Sequence, residues 1–195
     1  NVVSDSVSRR DLFRRLIPKA AKVVVETVES KLPSMHPPQR RPPGARSESL
    51  FLSLCTRCHK CYDACPHAAI HLFPEDTGEL AGTPVMVPDS RACHLCEDYP
   101  CATSCPEEAL IMPGERLWPL GKVVLNEEHC FAFKGPECGA CVGLCPPGAE
   151  AALKQIRWKP VFEAEPCVGC GLCIEACPTM PKAIELVPLT EEGNG

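Results

Sequence analysis

Cys55-Thr56-Arg57-Cys58-His59-Lys60-Cys61-Tyr62-Asp63-Ala64-Cys65-Pro66 and Cys167-Val168-Gly169-Cys170-Gly171-Leu172-Cys173-Ile174-Glu175-Ala176-Cys177-Pro178 share one spacing, C-x2-C-x2-C-x3-C-P. It is the bacterial spacing for [4Fe-4S] ligation. Three thiolates on one tight loop can reach three iron corners of a cube, with the loop amides turned toward the sulfides. The fourth iron has to be reached from elsewhere, and in two-cluster ferredoxins the cysteine after the x3 gap ligates the other cluster. The proline fixes φ and suits the start of a short helix that carries the chain across. Gly169 and Gly171 have no side chain to hold the backbone away from the sulfides, whereas His59 and Lys60 make the first loop more polar.

Two further groups lie between these: Cys93-x2-Cys96-x4-Cys101-x3-Cys105-Pro106 and Cys130-x7-Cys138-x2-Cys141-x3-Cys145-Pro146. All sixteen cysteines of the 195 residues thus fall into four groups of four, each ending C-x3-C-P. A disulfide framework would not repeat that ending, and structural zinc favours paired C-x2-C knuckles around one tetrahedral ion. The count fits four [4Fe-4S] clusters held by sixteen thiolates, with no iron left open for substrate. His59, His67, His71, His94 and His129 lie close to the groups, but the thiolates already suffice as ligands, so surface or supporting roles are expected for them.

The intervening sequence is short and repetitive. Ile70-His71-Leu72-Phe73 reads as a strand, Glu75-Asp76-Thr77-Gly78 as a turn and Thr83 to Val87 as the return, with Pro66-His67-Ala68-Ala69 a helical turn before them. The phrase recurs as Pro106 to Met112 with Lys122-Val123-Val124-Leu125, as Ala151 to Trp158 with Pro160-Val161-Phe162, and as Ala183 to Val187. The expected class is α+β: two tandem bacterial-type ferredoxin-like units, pseudo-symmetric 2[4Fe-4S] modules of short strands and helices. Aromatic residues are only 5% of the chain, so inorganic cubes stand in for much of a hydrophobic core. Metal-binding energy is folding energy in such modules.

Charge divides the chain. Residues 1–50 carry ten Lys+Arg against five Asp+Glu, whereas residues 51–195 carry ten against twenty. The expected organisation is a basic amphipathic segment at 1–32, a Pro-rich linker at 33–50, the four-cluster core at 51–187 and a tail at 188–195. Leu12, Leu16, Ala20, Val24, Val28 and Leu32 give the first segment one apolar helical face. Four oxidised clusters would take the net charge from −5 to about −13. A core of that charge suits partners with basic docking surfaces and repels nucleic acid. No window approaches the roughly 18 apolar residues of a membrane helix, and neither a phosphate loop nor a dinucleotide fingerprint is evident.

Ala81-Gly82-Thr83-Pro84, Cys96-Glu97-Asp98-Tyr99-Pro100-Cys101, the x7 gap from Cys130 to Cys138, and Cys167-Val168-Gly169-Cys170-Gly171-Leu172-Cys173 resemble the four-cluster ferredoxins of the MauM/NapG type. Those proteins serve methylamine oxidation and periplasmic nitrate reduction. The resemblance implies an electron-transfer subunit, not an enzyme with its own substrate site, relaying single electrons between a membrane-bound, quinone-linked subunit and a redox enzyme. An accessory ferredoxin assisting cytoplasmic maturation of such an enzyme is the alternative. By analogy with related molybdoenzyme subunits, it also implies that the first group pairs with the fourth and the second with the third. Cys55, Cys58, Cys61 and Cys177 would then share one cluster, and Cys167, Cys170, Cys173 and Cys65 its partner. The inner sets would be Cys93, Cys96, Cys101 and Cys145, with Cys130, Cys138, Cys141 and Cys105. Spacing alone leaves sequential pairing open.

Ser8-Arg9-Arg10-Asp11-Leu12-Phe13-Arg14 resembles a twin-arginine export motif, which implies a periplasmic site. Pro18, Lys19, Lys22 and Glu26 interrupt the apolar stretch such a signal needs. The other reading keeps the protein cytoplasmic or on the inner membrane, with residues 9–32 against an anionic membrane surface or a partner protein.

Overall fold

In the computed structural model, residues 39–114 and 117–187 are described; the basic segment 1–32, the linker as far as residue 38 and the tail 188–195 lie outside them. The elements are small: α1 (Glu48–Leu54), α2 (Lys60–Asp63), β1 (Ile70–Leu72), β2 (Pro84–Met86) and α3 (Pro100–Thr103), then β3 (Lys122–Leu125), α4 (Phe131–Lys134), β4 (Leu153–Ile156), β5 (Lys159–Phe162), α5 (Leu172–Ala176) and β6 (Ile184–Val187). A 3-10 segment, Glu75–Leu80, fills the connection between β1 and β2. The class is a mixture of short helices and strands, as expected.

Three antiparallel pairs make up the sheets. β1 pairs with β2, with Ile70 opposite Met86, and β4 with β5, with Leu153 opposite Phe162. Both are the local returns the alternation of the sequence predicts. The third differs from expectation: Lys122–Leu125 pairs with Ile184–Val187 and not with residues 106–112. The edge at 109–111 is already taken, because Arg46 donates to the Ala109 carbonyl at 3.1 Å and Ile111 to that of Gly44 at 2.8 Å. Gly44 sits at φ +82, and a Cβ there would collide with the Ile111 carbonyl.

The helical turns also shift relative to the reading. α2, α3 and α5 each carry the third cysteine of their group and end ahead of the fourth, before the proline rather than after it. Pro66 opens only a turn, because Ala68 adopts φ 49 and ends any helical continuation.

Residues 39–50 are packed structure, in contrast to the expected linker. Arg41 is 6% exposed. Its Nε and Nη2 donate to the two carboxylate oxygens of Glu48 at 3.1 and 2.6 Å, and its Nη1 donates to Thr83 Oγ1 at 2.8 Å and the Pro84 carbonyl at 2.7 Å. The guanidinium lies 4.5 Å from the Phe51 ring centroid and 5.5 Å from that of Phe73. Every polar neighbour of this buried charge is satisfied, which is the condition under which a charge tolerates burial. The Met86 amide donates to the Arg40 carbonyl at 2.6 Å, so the arm runs along β2 and clamps α1 to it.

The core is three apolar clusters in which cysteines are members: Phe51, Leu95, Tyr99 and Leu110; Ile70, Met86 and Cys101; and Leu153, Ile174, Ile184 with Cys130, Cys141, Cys173 and Cys177. Among the described residues, no helix is long and apolar enough to cross a membrane.

Candidate iron–sulfur sites

The three-cysteine loops owe their shape to residues in the left-handed region. In the loops carrying Cys55, Cys93 and Cys167, the residue two after the first cysteine has positive φ: Arg57 at 57, Leu95 at 48 and Gly169 at 67. His59 and Gly171, one after the second cysteine of their loops, do the same at 61 and 88. Such turns direct amides inward: Leu95 N–H points at Cys93 Sγ at 3.5 Å and Ala69 N–H at Cys65 Sγ at 3.4 Å. Arg57 holds the first loop by donating to the carbonyls of Ala81 at 2.9 Å, Glu79 at 2.9 Å and Cys55 at 3.3 Å. The Ala81-Gly82-Thr83 stretch is therefore a clasp: Arg57 grips one end and Arg41, through Thr83, the other.

Cys55, Cys58, Cys61 and Cys105 line one cavity with Phe51, Leu54 and Leu110. Cys93, Cys96, Cys101 and Cys65 line a second with Tyr99 and Met86. Cys167, Cys170, Cys173 and Cys145 line a third with Val123 and Phe162. In the remaining set, Cys138, Cys130 and Cys177 all act electrostatically on Cys141, and Cys130, Cys141 and Cys177 share one buried cluster. The grouping is sequential. Cys105, not Cys177, completes the first set, and Cys177 completes the set of the third loop. Cys65 joins Cys93, Cys96 and Cys101, and Cys145 joins Cys167, Cys170 and Cys173. This grouping of the thiols differs from the interleaved pairing that the resemblance implies.

The donor sets fit a bulky cluster better than a single ion. Among the described residues, no three Cys, His, Asp or Glu side chains converge as ligands of one metal ion; the thiols stand around the walls of apolar cavities. Burial makes ionisation of free thiols costly there. It pushes Cys61 and Cys93 up to about 12 and Cys101 and Cys141 up to about 11, with neighbouring thiols adding to the rise. Cys96, Cys145, Cys170 and Cys173 are raised for the same leading reason. Cys177 moves down. Burial would raise it, but the Thr179 hydroxyl and amide, the Ala183 amide and the Lys182 ammonium prevail.

The four sets are contiguous. Cys61 feels Cys101 of the second set, Cys93 feels Cys170 of the third, and Cys173 feels Cys141 of the fourth. At the central junction, Cys93 N–H donates to the Cys170 carbonyl at 2.9 Å and Leu120 N–H to that of Val168 at 2.7 Å. The Glu175 carboxylate accepts from Ala92 N–H at 2.8 Å and from Arg91 at 3.4 Å. Gly169 and Gly171 have a role here that was not expected. A Cβ on Gly169 would lie 2.5 Å from the Gly121 carbonyl oxygen, and one on Gly171 would collide with Pro88. These glycines let the fourth loop seat against Gly121 and Pro88. His67 and His94 stack, ring centroids 3.7 Å apart, beside the second set. The parts played by Arg41, Glu48 and Thr179 carry no short-range signal in the sequence.

Residues 54–109 match the model of a 4Fe-4S dicluster domain, and residues 158–179 that of a 4Fe-4S binding domain. The ferredoxin-type protein NapG of Escherichia coli K12 is 37% identical over 163 residues, covering 77% of this chain and 71% of that protein. The methylamine utilization ferredoxin-type protein MauM of Methylophilus methylotrophus is 35% identical over 195 residues, covering 92% and 86%. The chain belongs to the NapG/MauM family of ferredoxin-type proteins. As a member it carries multiple [4Fe-4S] clusters. MauM of Paracoccus denitrificans is 37% identical, covering 76% of this chain and 70% of that protein. A chain of a formate dehydrogenase–heterodisulfide reductase–formylmethanofuran dehydrogenase complex from Methanospirillum hungatei is similar over 71% of this chain and 50% of its own length, at 24% identity and TM-score 0.28.

Proposed function

We propose that this NapG/MauM-family protein is an electron relay without a substrate site of its own, holding four [4Fe-4S] clusters in two tandem two-cluster units. The ligands on this reading are Cys55, Cys58, Cys61 and Cys105; Cys93, Cys96, Cys101 and Cys65; Cys167, Cys170, Cys173 and Cys145; and Cys130, Cys138, Cys141 and Cys177. Bound clusters supply one-electron redox centres. The chain's own residues bind them as thiolates, aim amides at the ligand sulfurs, and keep water out with Phe51, Leu110, Ile174 and Ile184.

The observation that carries the reading is the contiguity of the four thiol sets, joined at the centre by the bond from Cys93 N–H to the Cys170 carbonyl. A protein that used clusters for structure alone would have no need to place successive sets side by side. The excess of acidic residues after residue 50 and of basic ones before it suits a chain whose first 32 residues rest on an anionic membrane surface, near a quinone-linked partner.

The test uses the full chain purified without oxygen. About sixteen iron atoms per chain are expected, and mixing the dithionite-reduced protein with quinone-containing native membranes should reoxidise it, with salt releasing it from them. Half that iron, or a reduced protein that gives no electrons to membranes or to redox dyes, would overturn the proposal.

A further inference from the structure

The β4–β5 hairpin turns on two residues, Arg157 and Trp158, both in the left-handed region at φ 50 and 69. A two-residue turn of this kind favours Asn-Gly, and neither an arginine nor a tryptophan relieves the strain. The tip gains no burial in exchange. Trp158 is 65% exposed and Ile156 54%. The hairpin tip is basic in an acidic core: Arg157 and Lys159 flank Trp158, exposed Lys134 ends the adjoining α4, and Lys154 further along pairs with Glu163 at 3.7 Å.

This tip sits against the fourth thiol set. Lys159 Nζ lies 4.4 Å from the ring centroid of Phe133, three residues after Cys130. Gln155 Nε2 donates to the Trp158 carbonyl at 3.5 Å and lies 3.7 Å from where a Cβ on Gly139, between Cys138 and Cys141, would be. That set stands at one end of the series. A large aromatic held exposed on a strained turn, between Arg157 and Lys159 and beside a terminal redox site, has the character of an interface anchor.

We propose that the Arg157–Trp158 tip is the docking element for a redox protein with an acidic rim around an apolar patch, which exchanges electrons at the set formed by Cys130, Cys138, Cys141 and Cys177. The proposal rests on the electron-relay reading above. It differs from what net charge suggests, since the acidic core as a whole favours basic partners. The acidity of the chain after residue 50 would steer such a partner away from the rest of the core.

The probes are two haem proteins of opposite charge, the acidic soluble domain of cytochrome b5 and the basic mitochondrial cytochrome c. Each is mixed in stopped flow with the dithionite-reduced holoprotein, and one electron leaves that protein for each ferric haem reduced. Whole-molecule charge predicts that the rate with the acidic cytochrome rises as salt screens repulsion; the dock predicts that it falls. In the paired variant Arg157→Asn with Trp158→Gly, the turn is relaxed, so thermal stability should hold or rise. The rate with the acidic cytochrome should fall by about tenfold or more, its salt dependence should invert, and the rate with cytochrome c should stay unchanged. A wild-type rate with the acidic probe that rises with salt, or a variant as fast as wild type with it, would overturn the dock while leaving the relay intact. Failure to reduce either cytochrome would sink both.

Discussion

Thr179→Val isolates one hydrogen bond at one thiolate. Thr179 is 5% exposed, and its Oγ1 accepts the Ala183 amide at 2.8 Å while standing 3.2 Å from Cys177 Sγ. With the hydroxyl oxygen accepting from Ala183, its proton is left for the sulfur. A hydrogen bond to a charged group is worth about 1.5–3 kcal/mol. Reduction adds one electron spread over the whole cluster, so roughly 1 kcal/mol of that bond distinguishes the two oxidation states. At about 1.4 kcal/mol and 59 mV per tenfold for a one-electron couple, the shift is about 40 mV. The sign follows from the donor: it favours the more negative, reduced state, so its loss lowers the potential. The assay is a redox titration of the holoprotein followed by electron paramagnetic resonance. One component should move down by about 40 mV, the others should stay, and Thr179→Ser should restore the wild-type value. Valine also leaves the Ala183 amide without its acceptor, costing about 1–3 kcal/mol of stability, so thermal melting accompanies the titration. An unshifted component, an upward shift, or a serine variant equal to the valine one would refute the reasoning.

Three further outcomes are expected. Because Cys58 and Cys105 line one cavity, removing both should cost one cluster, about four iron atoms, whereas removing Cys58 and Cys177 should cost two; iron analysis giving the reverse order would restore the interleaved pairing. Arg41→Met strands the buried Glu48 carboxylate and should destabilise the holoprotein by about 3–5 kcal/mol, while adding Glu48→Leu should recover much of the loss; denaturant melts without that rescue would show that the pair is not the strut it looks to be. Burial raises Cys61, Cys93, Cys101 and Cys141 above their ordinary value of 9.0 in the cluster-free chain, the first two to about 12. The folded form then binds more protons than the unfolded one between about pH 9 and 12, so compact cluster-free structure is favoured below pH 9 and lost as pH rises through that window. Circular dichroism of the chelator-treated chain should show residual structure falling over it; structure that grows instead would contradict the burial.

Whatever depends on residues near one another along the chain is legible without the fold. The four cysteine groups follow from their spacing, because a cube wants three thiolates on one tight loop. The β1–β2 and β4–β5 hairpins follow from alternation closed by short connections. The position of the short helices is not legible even locally, since Ala68 in the left-handed region halts the turn after Pro66.

Contacts between distant segments set the rest. C-x3-C-P says that a fourth cysteine leaves its loop, but not which loop receives it; in the fold Cys65, Cys105, Cys145 and Cys177 come to stand beside the thiols of their sequential neighbours. β3 finds β6 some sixty residues on because the nearer edge is filled by the arm at 44–46. That arm reads as a linker from its prolines, yet Arg41 makes it part of the core through Glu48, Thr83 and Phe51, partners that no short-range pattern connects. Spacing carries the identity of ligands because coordination geometry is local; their grouping depends on contacts between distant segments, whose closure is written only in how the surfaces fit.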